Sequence, residues 1–201
     1  MENTIRFYFD FSSPYAYFAA HEIEALAARV NRPVAWMPFL LGAAFKHTNM
    51  RAGTDLGYRY DYMKRDWYRL ARRAALPFRL PQTFPFAAIA PARATMWAEK
   101  THGPDRAKTL ALALFDAAFG DGRQIDQAAE TAAVAGAAGF DADAVTAGIA
   151  DPGIKAALKT QVEEGIADGV FGSPMLLVDG EPFWGYDRLP MAEEWARSDG
   201  W

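Results

Sequence analysis

Cysteine is absent from the 201 residues. That gap excludes structural disulfides, thiolate zinc sites, iron–sulfur clusters and any dithiol redox chemistry by the protein's own side chains. Thiol chemistry, if there is any, must use a sulfur brought from outside. Also missing are a glycine-rich dinucleotide fingerprint, a P-loop, a paired-histidine zinc helix and a G-x-S-x-G serine elbow. The three histidines, His21, His47 and His102, stand at no metal-ligand spacing and read as surface or lightly packed residues. Neighbouring acids such as Glu163-Glu164 and Glu193-Glu194 read as solvated helix faces. There is no excess of positive charge: 21 Lys and Arg stand against 25 Asp and Glu, and the isoelectric point is about 5.4. No global field draws nucleic acid or anionic lipid. No run approaches the roughly 20 apolar residues that span a bilayer, and the opening residues lack a basic segment followed by an apolar one. The expectation is a cytoplasmic protein with neither a membrane nor a nucleic-acid partner.

With 51% hydrophobic and 23% charged residues, the chain can bury a sizeable core as one large domain or as one domain with an insertion. Ile5 to Phe11 is rich in aromatics and reads as a largely buried strand. Ser12-Ser13-Pro14 breaks it. Tyr15, Phe18, Ala19, Ile23, Leu26, Ala27 and Val30 then recur at three- and four-residue spacing, the apolar stripe of a helix that starts at Pro14. Serine is a favoured cap and proline a favoured first helical residue, because its missing N–H would be unpaired there anyway. Asn31-Arg32-Pro33 ends the helix, and Val34 to Met37 is a second strand, parallel to the first by the logic of a β-α-β crossover. At the other end, Met175 to Val178 and Pro182 to Trp184 flank Asp179-Gly180-Glu181, a hairpin signal. Asp187 can cap a final helix from Arg188 to about Arg197.

The middle of the chain is helical in character. Eighteen of the fifty-one residues from Ala107 to Ala157 are alanine, the strongest helix former. Helices are predicted at about Tyr58 to Ala75, Pro91 to Thr101, Pro104 to Phe119, Asp126 to Ala138, Ala142 to Ile149 and Pro152 to Asp168. A β-α-β start and a β-β-α finish around such a middle is the order of a thioredoxin-like α/β domain, residues 1–39 with 169–201, carrying a large all-helical insertion, residues 40–168.

Chemistry-bearing residues gather at two junctions. Only four serines occur, and two of them, Ser13 and Ser173, directly precede a proline between regular elements. Ser13 stands at the positive end of the first helix dipole, where an anion such as a thiolate is stabilised and the serine O–H can donate to it. As a plain structural reading, Ser13 is a cap and Pro14 a helix starter. At Ser173-Pro174 a cis bond would turn the Ser173 main chain toward an extended peptide ligand, as an added strand would pair; a trans proline punctuating the strand is the other reading. From Arg51 to Arg79 the chain holds Arg51, Arg59, Lys64, Arg65, Arg69, Arg72, Arg73 and Arg79 against Asp55, Asp61 and Asp66. This run could draw in carboxylates, although most of it reads as a solvated face. Tyr58, Tyr60, Tyr62, Trp67 and Tyr68 beside it could wall the pocket of a planar ligand, with core packing the use for at least half.

Phe9-Asp10-Phe11-Ser12-Ser13-Pro14-Tyr15-Ala16-Tyr17, Gly169-Val170-Phe171-Gly172-Ser173-Pro174 and Phe183-Trp184-Gly185-Tyr186-Asp187-Arg188-Leu189 together resemble the 2-hydroxychromene-2-carboxylate isomerases and the related kappa-class glutathione transferases. These families are similar to DsbA in fold, with a serine-containing sequence, here Ser13-Pro14-Tyr15-Ala16, at the C-x-x-C position. The resemblance implies a glutathione-dependent cis-trans isomerase of aromatic breakdown, acting on a small aromatic carboxylate, with a homodimer as the expected assembly. A kappa-like transferase or peroxidase, or a non-catalytic glutathione-binding module, are the alternatives. It also implies roles for individual residues. Ser13 would bond the glutathione sulfur, and the Ser173 main chain before Pro174 the cysteinyl backbone. Tyr186 and Asp187 would take the γ-glutamyl end, Asn49 would reach the catalytic centre, and Arg59 stands near a position where relatives carry a lysine, placed to hold the substrate carboxylate.

Overall fold

The computed structural model describes residues 3–49, 57–198 and 200–201. The Asp55 and Arg51 of the basic run lie outside the described residues. β1 (Ile5–Phe9), α1 (Pro14–Val30) and β2 (Val34–Pro38) form the expected parallel β-α-β unit, with Phe7 opposite Trp36. β3 (Met175–Val178) runs antiparallel to β1 and β4 (Glu181–Trp184) antiparallel to β3, so the sheet order is β2-β1-β3-β4. The two ends of the chain therefore meet at the centre of one sheet, as the order of elements implied.

Both faces of that sheet are covered. Ile5, Phe7 and Phe9 point with Trp36, Leu176 and Val178 into one core, which α1 shares with the helices of the 104–150 region. Tyr8, Met175 and Leu177 point the other way onto Ala92, Leu158 and Val162. A strand buried on two sides has no polar face, which is why β1 reads as an apolar run instead of an alternation. α1 stops at Asn31, whose left-handed backbone (φ 52°) lets its N–H reach the Ala27 and Ala28 carbonyls.

Between the sheet's two halves lie α2 (Leu41–Thr48), α3 (Gly57–Ala74), α4 (Ile89–His102), α5 (Pro104–Phe115), α6 (Ala128–Ala137), α7 (Ala142–Ala150) and α8 (Pro152–Ala167). The predicted helices agree to within a few residues, with three corrections. α2 has no predicted counterpart. It is short and its N-cap residue is Leu40, which offers no side-chain acceptor; its cap comes from Asp10, thirty-one residues upstream. The helix predicted to run from Pro104 to Phe119 changes at Asp116 into one π-helical turn, Asp116–Gly120, a wider winding that composition does not encode. Asp187 does not cap the last helix. It sits in a 3₁₀ turn, Tyr186–Arg188, ahead of α9 (Leu189–Ser198). The Phe84–Pro85 and Ser173–Pro174 bonds are cis. No helix among the described residues is long and apolar enough to cross a membrane.

Candidate active site at the mouth of the first helix

β1 delivers Asp10 to the floor of a cleft, where it is only 3% exposed. Its carboxylate accepts from the Ser12 N–H (2.7 Å), the Ser12 O–H (2.8 Å) and the Leu41 N–H (2.7 Å), so it holds the turn before α1 and the start of α2 together. Burial pushes this carboxyl above the usual aspartate range, and the three donors pull against that shift. The Asp10 carbonyl accepts from the Ser13 N–H at 2.9 Å.

Ser13 caps α1: its Oγ accepts from the Ala16 N–H at 3.3 Å and its hydroxyl donates to the Ser173 carbonyl at 2.8 Å. The Ser173 Oγ in turn accepts from the Asp10 N–H at 2.8 Å. Two residues 160 positions apart thus close one small ring of hydrogen bonds. Pro14 has no N–H to give, and the Tyr15 N–H, the first amide of α1, has no acceptor among the described residues. The mouth of α1 accordingly presents a free amide, a rotatable hydroxyl and the positive end of a 17-residue helix.

Above this floor opens a cavity of about 670 Å³. Ser12, Ser13, Tyr15 and Ser173 line its base, Leu40, Leu41, Ala43 and Phe45 one side, and Met63, Trp67, Phe84 and Phe86 the other. Trp67 is fully buried and packs edge-on against Phe84, with ring centroids 5.6 Å apart. The Tyr15 hydroxyl donates to Asp66 at 3.1 Å, and burial followed by the charge of Asp66 raises its pKa, so it remains protonated at neutral pH. Among the described residues one cation, Lys46 of α2, stands on the wall.

The structure brings together Ser13, Ser173 and Pro174. Tyr186 lies off the cavity wall: its ring packs on Phe18, and its hydroxyl donates to Glu22. Asp187 is also off the wall, yet near enough for its charge to raise the Tyr15 hydroxyl's pKa, and its carboxylate is 73% exposed beside Arg188. Asn49 is the exposed, left-handed C-cap of α2, and Arg59 is exposed in the first turn of α3; neither is on the cavity wall among the described residues. Of the aromatics in α3, Trp67 walls the cavity, Tyr60 packs on the core, and Tyr58, Tyr62 and Tyr68 are exposed. Two wall residues that local pattern does not single out are Asp10 and Lys46. A lone acid directly after β1, between Phe9 and Phe11, is a signal for the first, and nothing local marks the second.

A model of the DsbA-like thioredoxin domain matches residues 4–195, and the chain belongs to that family. Among characterised relatives, it is 29% identical over 197 residues to a 2-hydroxychromene-2-carboxylate isomerase of Sphingobium xenophagum, covering 97% of this chain and 98% of that one. It is 26% identical to glutathione S-transferase kappa 2 of Caenorhabditis elegans, over 94% and 90% of the two chains. A solved structure of a 2-hydroxychromene-2-carboxylate isomerase superposes with a TM-score of 0.85 at 24% identity, over 95% of this chain and 93% of that one. The last likeness is one of fold.

Proposed function

We propose that this protein is a glutathione-dependent isomerase that interconverts 2-hydroxychromene-2-carboxylate and trans-o-hydroxybenzylidenepyruvate. The observation that carries the reading is the hydrogen bond from Ser13 to the Ser173 carbonyl at the mouth of α1, directly beneath an apolar cavity. The donor set suits the tripeptide thiol. Ser13 can turn its O–H from the Ser173 carbonyl to a sulfur, and the carbonyl it releases becomes an acceptor for a cysteinyl N–H. The exchange leaves no polar group orphaned, which matters for a serine pair that is nearly buried.

Glutathione, when bound, supplies the thiolate that adds reversibly to a conjugated double bond and lets it rotate. The chain's own residues prepare for this. The free Tyr15 amide and the α1 dipole favour a negative charge at Ser13, and the Ser13 hydroxyl holds that charge in place. Met63, Phe84 and Phe86, with Trp67 packed behind Phe84, present carbon to a flat ring and exclude water from the reacting end. Asp187, exposed near Tyr15, is the candidate partner of the γ-glutamyl ammonium group. Tyr186 would support that end through the turn it shares with Asp187, while Asn49 and Arg59 stand further out. The fold likeness and the isomerase names of relatives near 29% identity support the same reaction.

The 26% identity to a kappa-class transferase favours a second reading, in which glutathione stays attached to an electrophile. Mixing the purified protein with glutathione and the chromene acid separates them: an isomerase changes the ultraviolet spectrum without lowering free thiol, and a transferase consumes it. No uptake of glutathione by calorimetry at millimolar concentration overturns both.

A further inference from the structure

One side of the cavity is built by chain that belongs to neither helix nor strand: Phe84, Pro85, Phe86 and Ala87. The main chain of Phe84, Pro85 and Phe86 makes no hydrogen bond among the described residues. Its course is therefore set by ring packing and by its two ends, Thr83 and the start of α4 at Ile89. The geometry points to Gln124, which does not line the cavity, as the positioning residue for this wall, and hence for the size of flat ring that fits beside it. The inference deepens the reading above, on which its bearing on turnover rests; its bearing on ring binding stands apart.

The Gln124 side-chain amide meets the main chain of Thr83 from both directions. Its oxygen accepts from the Thr83 N–H at 3.1 Å, and its nitrogen donates to the Thr83 carbonyl at 3.2 Å. A two-way pair on one residue fixes place and direction together, directly before Phe84. The chain leading to Thr83 is held against the same region: the Arg79 N–H donates to the Phe119 carbonyl at 2.6 Å. Gly122 lies so close beneath the Arg79 stem that a Cβ there would stand 2.7 Å from it. Gln124 is itself well anchored, since the Arg123 N–H donates to the Ala117 carbonyl at 2.8 Å, and Ile125 is fully buried with its carbonyl accepting from the Thr131 hydroxyl at 2.7 Å. The rings of Phe84 and Phe86 pack on Phe119, with centroids 6.2 and 6.4 Å apart. Such packing is satisfied by volume, so the rings can shift on Phe119 and keep contact, whereas the amide pair holds in one arrangement. Across the cavity, Leu41 is tied to Asp10. The gap between the two walls is thus set by two polar clamps, one on each side. The Thr83 bonds are exposed, so each contributes modestly, and their loss should change ring preference without unfolding the chain.

The test is calorimetric titration with coumarin and with benzo[f]coumarin, flat neutral probes that differ by one ring, in wild type, Gln124→Met and Gln124→Glu. Gln124→Met keeps the length and loses both polar atoms. It should shift the ratio of the two dissociation constants by about threefold toward the larger probe, at neutral pH and at about pH 4 alike. Gln124→Glu should resemble Gln124→Met at neutral pH, where its carboxylate faces the Thr83 carbonyl with no proton to give. At about pH 4 the protonated acid has one donor and one acceptor, as the amide does, and the ratio should return most of the way to that of wild type. Urea unfolding and glutathione titration of the variants should match wild type. The clamp is overturned if wild type binds neither probe, if Gln124→Met leaves the ratio unchanged or weakens both probes and glutathione together, or if Gln124→Glu does not respond to pH. A wild type that takes up no glutathione, yet whose ring preference moves as described, keeps the clamp and rejects the isomerase reading.

Discussion

At the floor of the cavity, Asp10, Ser13 and Ser173 are held by hydrogen bonds between the two ends of the chain, while the wall of Met63, Trp67, Phe84 and Phe86 meets the same space with carbon. The floor is specified by direction, since each bond there has one donor and one acceptor at a set angle. The wall is specified by volume, since packing tolerates similar shapes. Substitution at the floor should therefore change chemistry more than stability, and substitution in the wall should do the reverse.

Four changes would break or sharpen that contrast. The largest effect belongs to the wall: Trp67→Ala removes a fully buried indole and should lower stability by about 3–5 kcal/mol, read by denaturant unfolding. Glutathione affinity of the fraction that remains folded should change little. Ser13→Ala should lower turnover by a factor of about 10²–10³, the usual effect of losing one donor to a developing anion. Its loss of a helix cap should cost only about 1 kcal/mol, a shift of a few degrees in melting temperature. A larger stability loss than activity loss in Ser13→Ala would reverse the contrast.

Asp10 connects the two behaviours. Its carboxyl is raised in the folded state, so between the ordinary aspartate range and that raised value the folded protein holds a proton that the unfolded chain has released. Stability should then fall as pH rises through that window, by at most about 1.4 kcal/mol per pH unit. Asp10→Asn should remove this part of the slope, seen as a flatter stability profile in urea melts from pH 4 to 8. An unchanged profile would mean that the three donors offset the burial of the charge. The smallest effect is expected at Asp187→Asn, a several-fold weaker glutathione affinity in calorimetry with unaltered unfolding, because the side chain is well exposed.

What could be read from the chain differs between these regions for a physical reason. Ser13 and Ser173 were visible because serine before proline at an element boundary is a local signal, and their elements are marked by apolar patterns on either side. α2 was not, because its cap is a carboxylate from another strand. The basic run from Arg51 to Arg79 pointed to α3 for a carboxylate-binding cation. Arg59 is instead exposed and off the wall, and among the described residues the cation on the wall belongs to α2. Charge density along a sequence says how many cations a segment has, and only packing decides which of them borders an apolar space. Trp67 and Phe84 belong to segments with no shared pattern, and they meet because α3 and the cis-proline segment fold over the same opening.

By itself the sequence determined that the protein has no thiol of its own, that β-α-β and β-β-α units frame a helical middle, and that two Ser-Pro junctions are candidates for the ends of a site. These follow from composition and from periodicities shorter than a helix turn or two. The tertiary structure alone decided that Ser13 bonds Ser173 across 160 residues, that Asp10 caps α2 and that Lys46 overlooks the cavity. Hydrogen bonds and walls of this kind join residues distant in the chain, and no local pattern records which distant partner closes them.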